Sequence, residues 1–110
     1  MNAGNSIRTI RLGGELEISR KNELRGVLSR SKTDRAVLLD LSEVTYADSV
    51  ALTELLRFCI DAQRATVPVA LIIRTPQFAR IVQYAGLDSA FKTFNDPDAA
   101  LGYLAEQVAP

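Results

Sequence analysis

The apolar positions of this chain change period along its length, and each change predicts an element. Ile7, Thr9 and Arg11 alternate with Arg8, Ile10 and Leu12, the two-residue period of a strand. Gly13-Gly14 is a turn or bulge signal, and Glu15 to Ile18 can form a second short strand. Ser19 is placed as the N-cap of a helix to about Arg30, with Leu24, Val27 and Leu28 on one face. After a polar loop from Ser31 to Asp34, Ala36 to Leu41 is a continuous apolar run with Asp40 near its end, as in a buried central strand. Beyond Asp48, Leu52, Leu55, Leu56 and Cys59 recur at the spacing of a helical core face. Thr53, Glu54, Arg57, Asp61 and Arg64 fall on the opposite side.

Val67 to Ile73 is the next apolar strand. Thr75 then reads as an N-cap, Pro76 as the first helical residue and Gly86 as the stop of a helix ending at Tyr84 or Ala85. Phe91 to Phe94 predicts a short last strand. Asp96-Pro97 starts a final helix with Ala100, Leu101, Leu104, Ala105 and Val108 facing inward. The order is β-β-α-β-α-β-α-β-α. It predicts an α/β fold with a mostly parallel central sheet, an N-terminal antiparallel strand and helices packed on the sheet. The 110 residues suit one domain over 1–110, with residues 1–5 expected to be flexible.

Charge and rare residues narrow the function classes. Lys plus Arg and Asp plus Glu number 13 each, a balance that argues against nucleic-acid binding and against a polybasic membrane dock. Cys59 is the only cysteine, so no internal disulfide forms and a reducing compartment is expected. No apolar run approaches the roughly 20 residues of a membrane span, and the N-terminus lacks the apolar core of a signal peptide. The expectation is a cytoplasmic protein without direct membrane insertion. Histidine is absent, which removes His-based triads and imidazole metal sites. No glycine-rich phosphate loop follows Gly13-Gly14. The expectations are no enzyme, no cofactor and no metal.

The most informative run is Leu38 to Leu56, a buried strand, a short turn and a helix opened by Asp48 and Ser49. An acid and a hydroxyl side by side at a helix N-terminus are good caps. The free N–H groups and dipole there also favour anions, which suits a serine that gains and loses a phosphate. The two roles are compatible. Asp40 is read as capping a turn or solvated, Cys59 and Tyr46 as packing, and Arg74 and Arg80 as solvated. Glu15 is read as bonding backbone at Gly13-Gly14.

These pieces resemble the STAS domain, and within it the bacterial anti-sigma factor antagonists. Asp40-Leu41 followed by Asp48-Ser49-Val50-Ala51 is similar to the family's Asp-Leu strand end followed by Asp-Ser-Ser-Gly. Gly14-Glu15-Leu16 and the stretch Thr75 to Asp96 resemble two further family segments. The resemblance runs from about Ile7 to about Val108. It implies a phosphorylation-controlled binding module that sequesters an anti-sigma factor with serine kinase activity and so releases a sigma factor. It also implies a PP2C-type phosphatase that restores the binding form. Ser49 would be the phospho-acceptor, and Asp48, Ser49, Val50, Ala51 and Glu15 the partner-binding switch. Val50 and Ala51 depart from Ser-Gly. They leave Ser49 as the only hydroxyl at the helix start and put a Cβ where a partner backbone was expected to approach. The alternative implied is a non-phosphorylated STAS adaptor subunit of a transporter or sensory complex. A homodimer stays open.

Overall fold

The computed structural model describes residues 7–29, 31 and 33–108. The expectation for residues 1–5, and for Arg30 as a helix end, lies outside the described residues. Strand β1 (Ile7–Leu16) pairs in parallel with β2 (Ala36–Ala47). This corrects the expected pair of N-terminal strands with an antiparallel partner. Gly13-Gly14 does not reverse the chain, and Glu15-Leu16 continues β1.

Two irregularities replace the turn, one between Arg11 and Gly13 and one between Gly14 and Glu15. Ile7 pairs with Ala36 and Leu16 with Ala47, so the 10 residues of β1 span 12 of β2. The extra residues therefore sit in β2, and each resets its alternation. As a result Leu41, Val44 and Ala47 are all buried in the same core at a spacing that an undistorted strand cannot produce. The glycines permit this. Gly14 has φ +76°, and a Cβ on Gly13 would lie 3.2 Å from the Glu43 Cβ. Arg20 Nη1 donates to the carbonyls of Gly13 (2.8 Å) and Glu15 (3.1 Å).

A 3₁₀ turn (Ile18–Arg20) leads into α1 (Lys21–Val27). Ser19 lies inside that turn and caps nothing, because the N-cap position falls on Arg20. Leu24 and Leu28 are buried as expected, whereas Val27 is exposed. Helix α2 (Ser49–Arg64) buries Ala51, Leu55, Phe58, Cys59 and Ala62. The face is rotated from the expected one: Leu56 is exposed and Glu54 is buried.

Strand β3 (Val69–Ile72) is followed by α3 (Pro76–Tyr84), capped by Thr75 and ended by Ala85 and Gly86 at φ +76°. A one-turn helix α4 (Leu87–Ala90), not expected, precedes β4 (Lys92–Phe94). Helix α5 (Pro97–Val108) starts where the Asp96 carboxylate accepts from Ala99 N at 3.0 Å. Ala100, Leu104 and Val108 are buried, while Leu101 and Ala105 are exposed.

The sheet order is β1-β2-β3-β4, with every neighbouring pair parallel. Alternation in β2 divides the core. Val37, Leu39 and Leu41 join residues of α1, α2 and α3 on one face. Ala36 and Leu38 join Ala70, Ile72 and α5 on the other. The second bulge delivers the chain from β2 to α2 at the C-terminal end of the sheet, where the site lies.

Candidate functional site

Asp48 is the N-cap of α2, in extended conformation at φ −84° and ψ 178°. Its Oδ1 accepts from Ala51 N at 2.9 Å, and its Oδ2 accepts from Ile18 N at 2.8 Å. The Asp48 N–H donates to the Leu16 carbonyl at 3.0 Å, and its carbonyl accepts from Leu52 N at 2.9 Å. Asp48 thus satisfies helix donors that would otherwise lack partners, and it ties α2 to the end of β1.

Capping and the hydroxyl are therefore divided between two residues. Ser49 is exposed, and among the described residues its side chain makes no hydrogen bond; only its carbonyl is engaged, by Thr53 Oγ1 at 2.8 Å. Val50 is half-buried beside it. Ala51 is fully buried, and its Cβ packs in the core. The Cβ expected where a partner backbone approaches thus lies in the core, and the Ala51 N–H is held by Asp48.

Glu15 pairs in register with Tyr46, at the same strand end as Asp48. Its side chain is exposed and bonds no backbone at Gly13-Gly14; that task falls to Arg20. Of the two expectations for Glu15, the turn-bonding one is not met. Tyr46, expected to pack, is 43% exposed, and Ile18 is 63% exposed. The chain at the ends of β1 and β2 thus leaves Ile18, Tyr46, Glu15 and Glu17 exposed.

Ser49 also lines a shallow depression of about 280 Å³, together with Lys21, Arg25, Val50, Thr53, Glu54 and Arg57. Glu54 is 5% exposed and bridges two half-exposed guanidiniums: Arg25 Nε at 3.2 Å and Arg57 through a short contact. Helical periodicity hid this residue, because a glutamate among Thr53 and Arg57 reads as solvated. The signal present was the pair of arginines that meet it, one of them on α1.

The other singled-out residues are structural. Asp40 lies opposite Arg11 and holds the first β2 irregularity: Oδ1 accepts from Ser42 N (3.1 Å) and Ser42 Oγ (2.6 Å), and Oδ2 from Arg11 Nε (3.0 Å). Burial works against its charge, but the Ser42 hydrogen bonds and the Arg11 guanidinium outweigh that and hold its pKa below the usual value. Cys59 is buried, and burial pushes its thiol up to about 12, far from a reactive thiolate. Arg74 and Arg80 are exposed. Larger hollows lie around Cys59 and Tyr103 (about 320 Å³) and around Ile73 and Phe94 (about 480 Å³), and Ser49 lines neither. Among the described residues no group of three or more Cys, Asp or Glu side chains is placed to hold a metal, and no helix is long and apolar enough to cross a membrane.

Fold and site define a small α/β domain that presents an acid–serine pair at one strand-to-helix junction. The chain belongs to the STAS domain family, whose model matches residues 2–100. Its fold is similar to that of a sulfate transporter family protein from Wolinella succinogenes (TM-score 0.78, 18% identity, 98% of this chain and 90% of that one). It is likewise similar to an anti-sigma factor antagonist from Mycobacterium paratuberculosis (TM-score 0.77, 23% identity, 92% and 87%). The anti-sigma factor antagonist SpoIIAA in its unphosphorylated form gives TM-score 0.69 at 14% identity, over 96% and 94%. No match is found among curated proteins.

Proposed function

We propose that this chain is an anti-sigma factor antagonist whose binding is controlled by phosphorylation of Ser49. The observation that carries this reading is the division of labour at the α2 N-terminus. Asp48 uses both carboxylate oxygens to cap the helix and anchor Ile18, which leaves the Ser49 hydroxyl exposed and unbonded. The likeness in fold to the antagonists from Mycobacterium paratuberculosis and to unphosphorylated SpoIIAA supports it.

In this reading the partner is an anti-sigma factor with serine kinase activity, which docks at the β1–β2 strand end. Exposed Ile18 and Tyr46 supply apolar contact, with Glu15 at the same strand end and Val50 beside the acceptor. The kinase transfers the γ-phosphoryl group of ATP to Ser49 Oγ. The new O–P bond replaces the one to ADP, and the hydroxyl proton goes to a base of the kinase. A PP2C-type phosphatase hydrolyses the ester and restores the binding form. The chain itself catalyses nothing, needs no cofactor, and acts in the cytoplasm.

The phosphate adds about −1.5 to −2 charges at pH 7. Against a partner surface fitted to a neutral hydroxyl, desolvation and like-charge repulsion oppose binding. A differential of about 3 kcal/mol lowers affinity more than 100-fold, since each 1.4 kcal/mol is tenfold. The test is binding to the cognate kinase: Ser49→Ala should bind constitutively and Ser49→Glu should fail. Equal binding by both and by the unmodified protein contradicts the switch. The likeness to the Wolinella succinogenes transporter-family protein supports the alternative, an adaptor subunit that binds without any phosphorylation cycle.

A further inference from the structure

We infer that Lys21, Arg25 and Arg57 form a built-in receptor for a phosphate carried on Ser49, so that the modified side chain is held by its own domain. The inference rests on Ser49 being the modified residue.

Ser49, Thr53 and Arg57 recur every four residues and share one face of α2, and Lys21 and Arg25 do the same on α1. The two helices pack together, and the shared depression is where these faces meet. Three cations and one carboxylate, Glu54, line it, leaving two positive charges in excess. A phosphoserine carries about that many negative charges. The adjacent acid, Asp48, has both its oxygens taken by backbone N–H groups.

Glu54 prepares the site. It fixes both guanidiniums while engaging Arg25 through Nε and Arg57 through one terminal nitrogen, so most of their N–H donors stay free. Planar guanidiniums with free donors suit phosphate oxygens. Lys21 makes no side-chain hydrogen bond or ion pair among the described residues, although it lines the depression. Its ammonium is available without breaking anything.

The consequence differs from simple repulsion of a partner. A phosphate held here neutralises the cationic lining of the depression, so phosphorylation also removes Lys21, Arg25 and Arg57 from any acidic contact.

The test installs phosphoserine at position 49 during synthesis, by codon reassignment, and follows the second phosphate pKa by ³¹P NMR. The comparison is with a phosphoserine peptide of the same local sequence. Because no kinase is involved, the outcome is independent of whether a kinase partner exists. The intact domain should show a pKa about one unit below the peptide, as expected for an anion facing fixed cations. Lys21→Gln and Arg57→Gln should each return it part of the way. Lys21→Gln breaks no bond, so its result is readable even if Arg57→Gln unfolds. A pKa equal to the peptide value, or one lowered but unmoved by Lys21→Gln, overturns the receptor.

Discussion

The Asp48 carboxylate holds the backbone N–H of Ile18 at 2.8 Å, across a sequence separation of 30 residues. One acid thus caps α2 with one oxygen and pins the start of the 3₁₀ turn with the other. Removing it removes both bonds. Asp48→Ala should destabilise the domain by about 2–3 kcal/mol, a lost cap together with a lost charge-assisted hydrogen bond. Asp48→Asn keeps one acceptor and should cost about half as much. Urea denaturation of the two variants checks the order.

Ser49 next door should behave in the opposite way. Its side chain is exposed and unbonded, so Ser49→Ala should change stability by less than about 0.5 kcal/mol. The same urea midpoints test it. A large loss would mean that the hydroxyl is part of the cap.

The Glu54 network should respond asymmetrically. Glu54→Ala releases Arg25 and Arg57, which are half-exposed and regain water, at a cost of about 1–2 kcal/mol. Replacing both arginines by Ala strands a carboxylate that is 5% exposed and should cost about 3–5 kcal/mol. Chemical denaturation of the single and double variants gives the comparison, and a costlier Glu54→Ala would refute it.

Asp40 gives the pH dependence a sign. Its pKa is depressed in the folded state, so its contribution is present above the unfolded value near 4 and is lost as pH falls through the folded value. Asp40→Asn should therefore flatten the fall of stability on the acid side below about pH 4 and leave the neutral region with little pH dependence from this group. Thermal melts of both proteins from pH 6 to pH 2.5 measure it.

Much of this architecture is legible in the chain, and the exceptions have physical causes. Thr75-Pro76, Gly86 and Asp96 mark their helix ends because capping is local chemistry. Beyond Leu41 the strand was not legible, because the β2 irregularities turn its period from two to three and place Leu41, Val44 and Ala47 in one core. Gly13-Gly14 carries the same signal for a turn and a bulge, and only the partner strand decides between them. Glu54 was misplaced because periodicity weighs one helix, whereas its burial depends on Arg25 of another. At the site, Asp48-Ser49 was legible as a pair. Which of the two caps, and which way Ala51 points, required the anchoring of Ile18.

The most direct test of the central claim is phosphopeptide mapping by mass spectrometry of the protein isolated from the cells that make it, during growth, stress and stationary phase. The account predicts a phosphate on Ser49 whose occupancy changes between conditions. An unmodified Ser49 under all three, or a phosphate only at another residue, would contradict it.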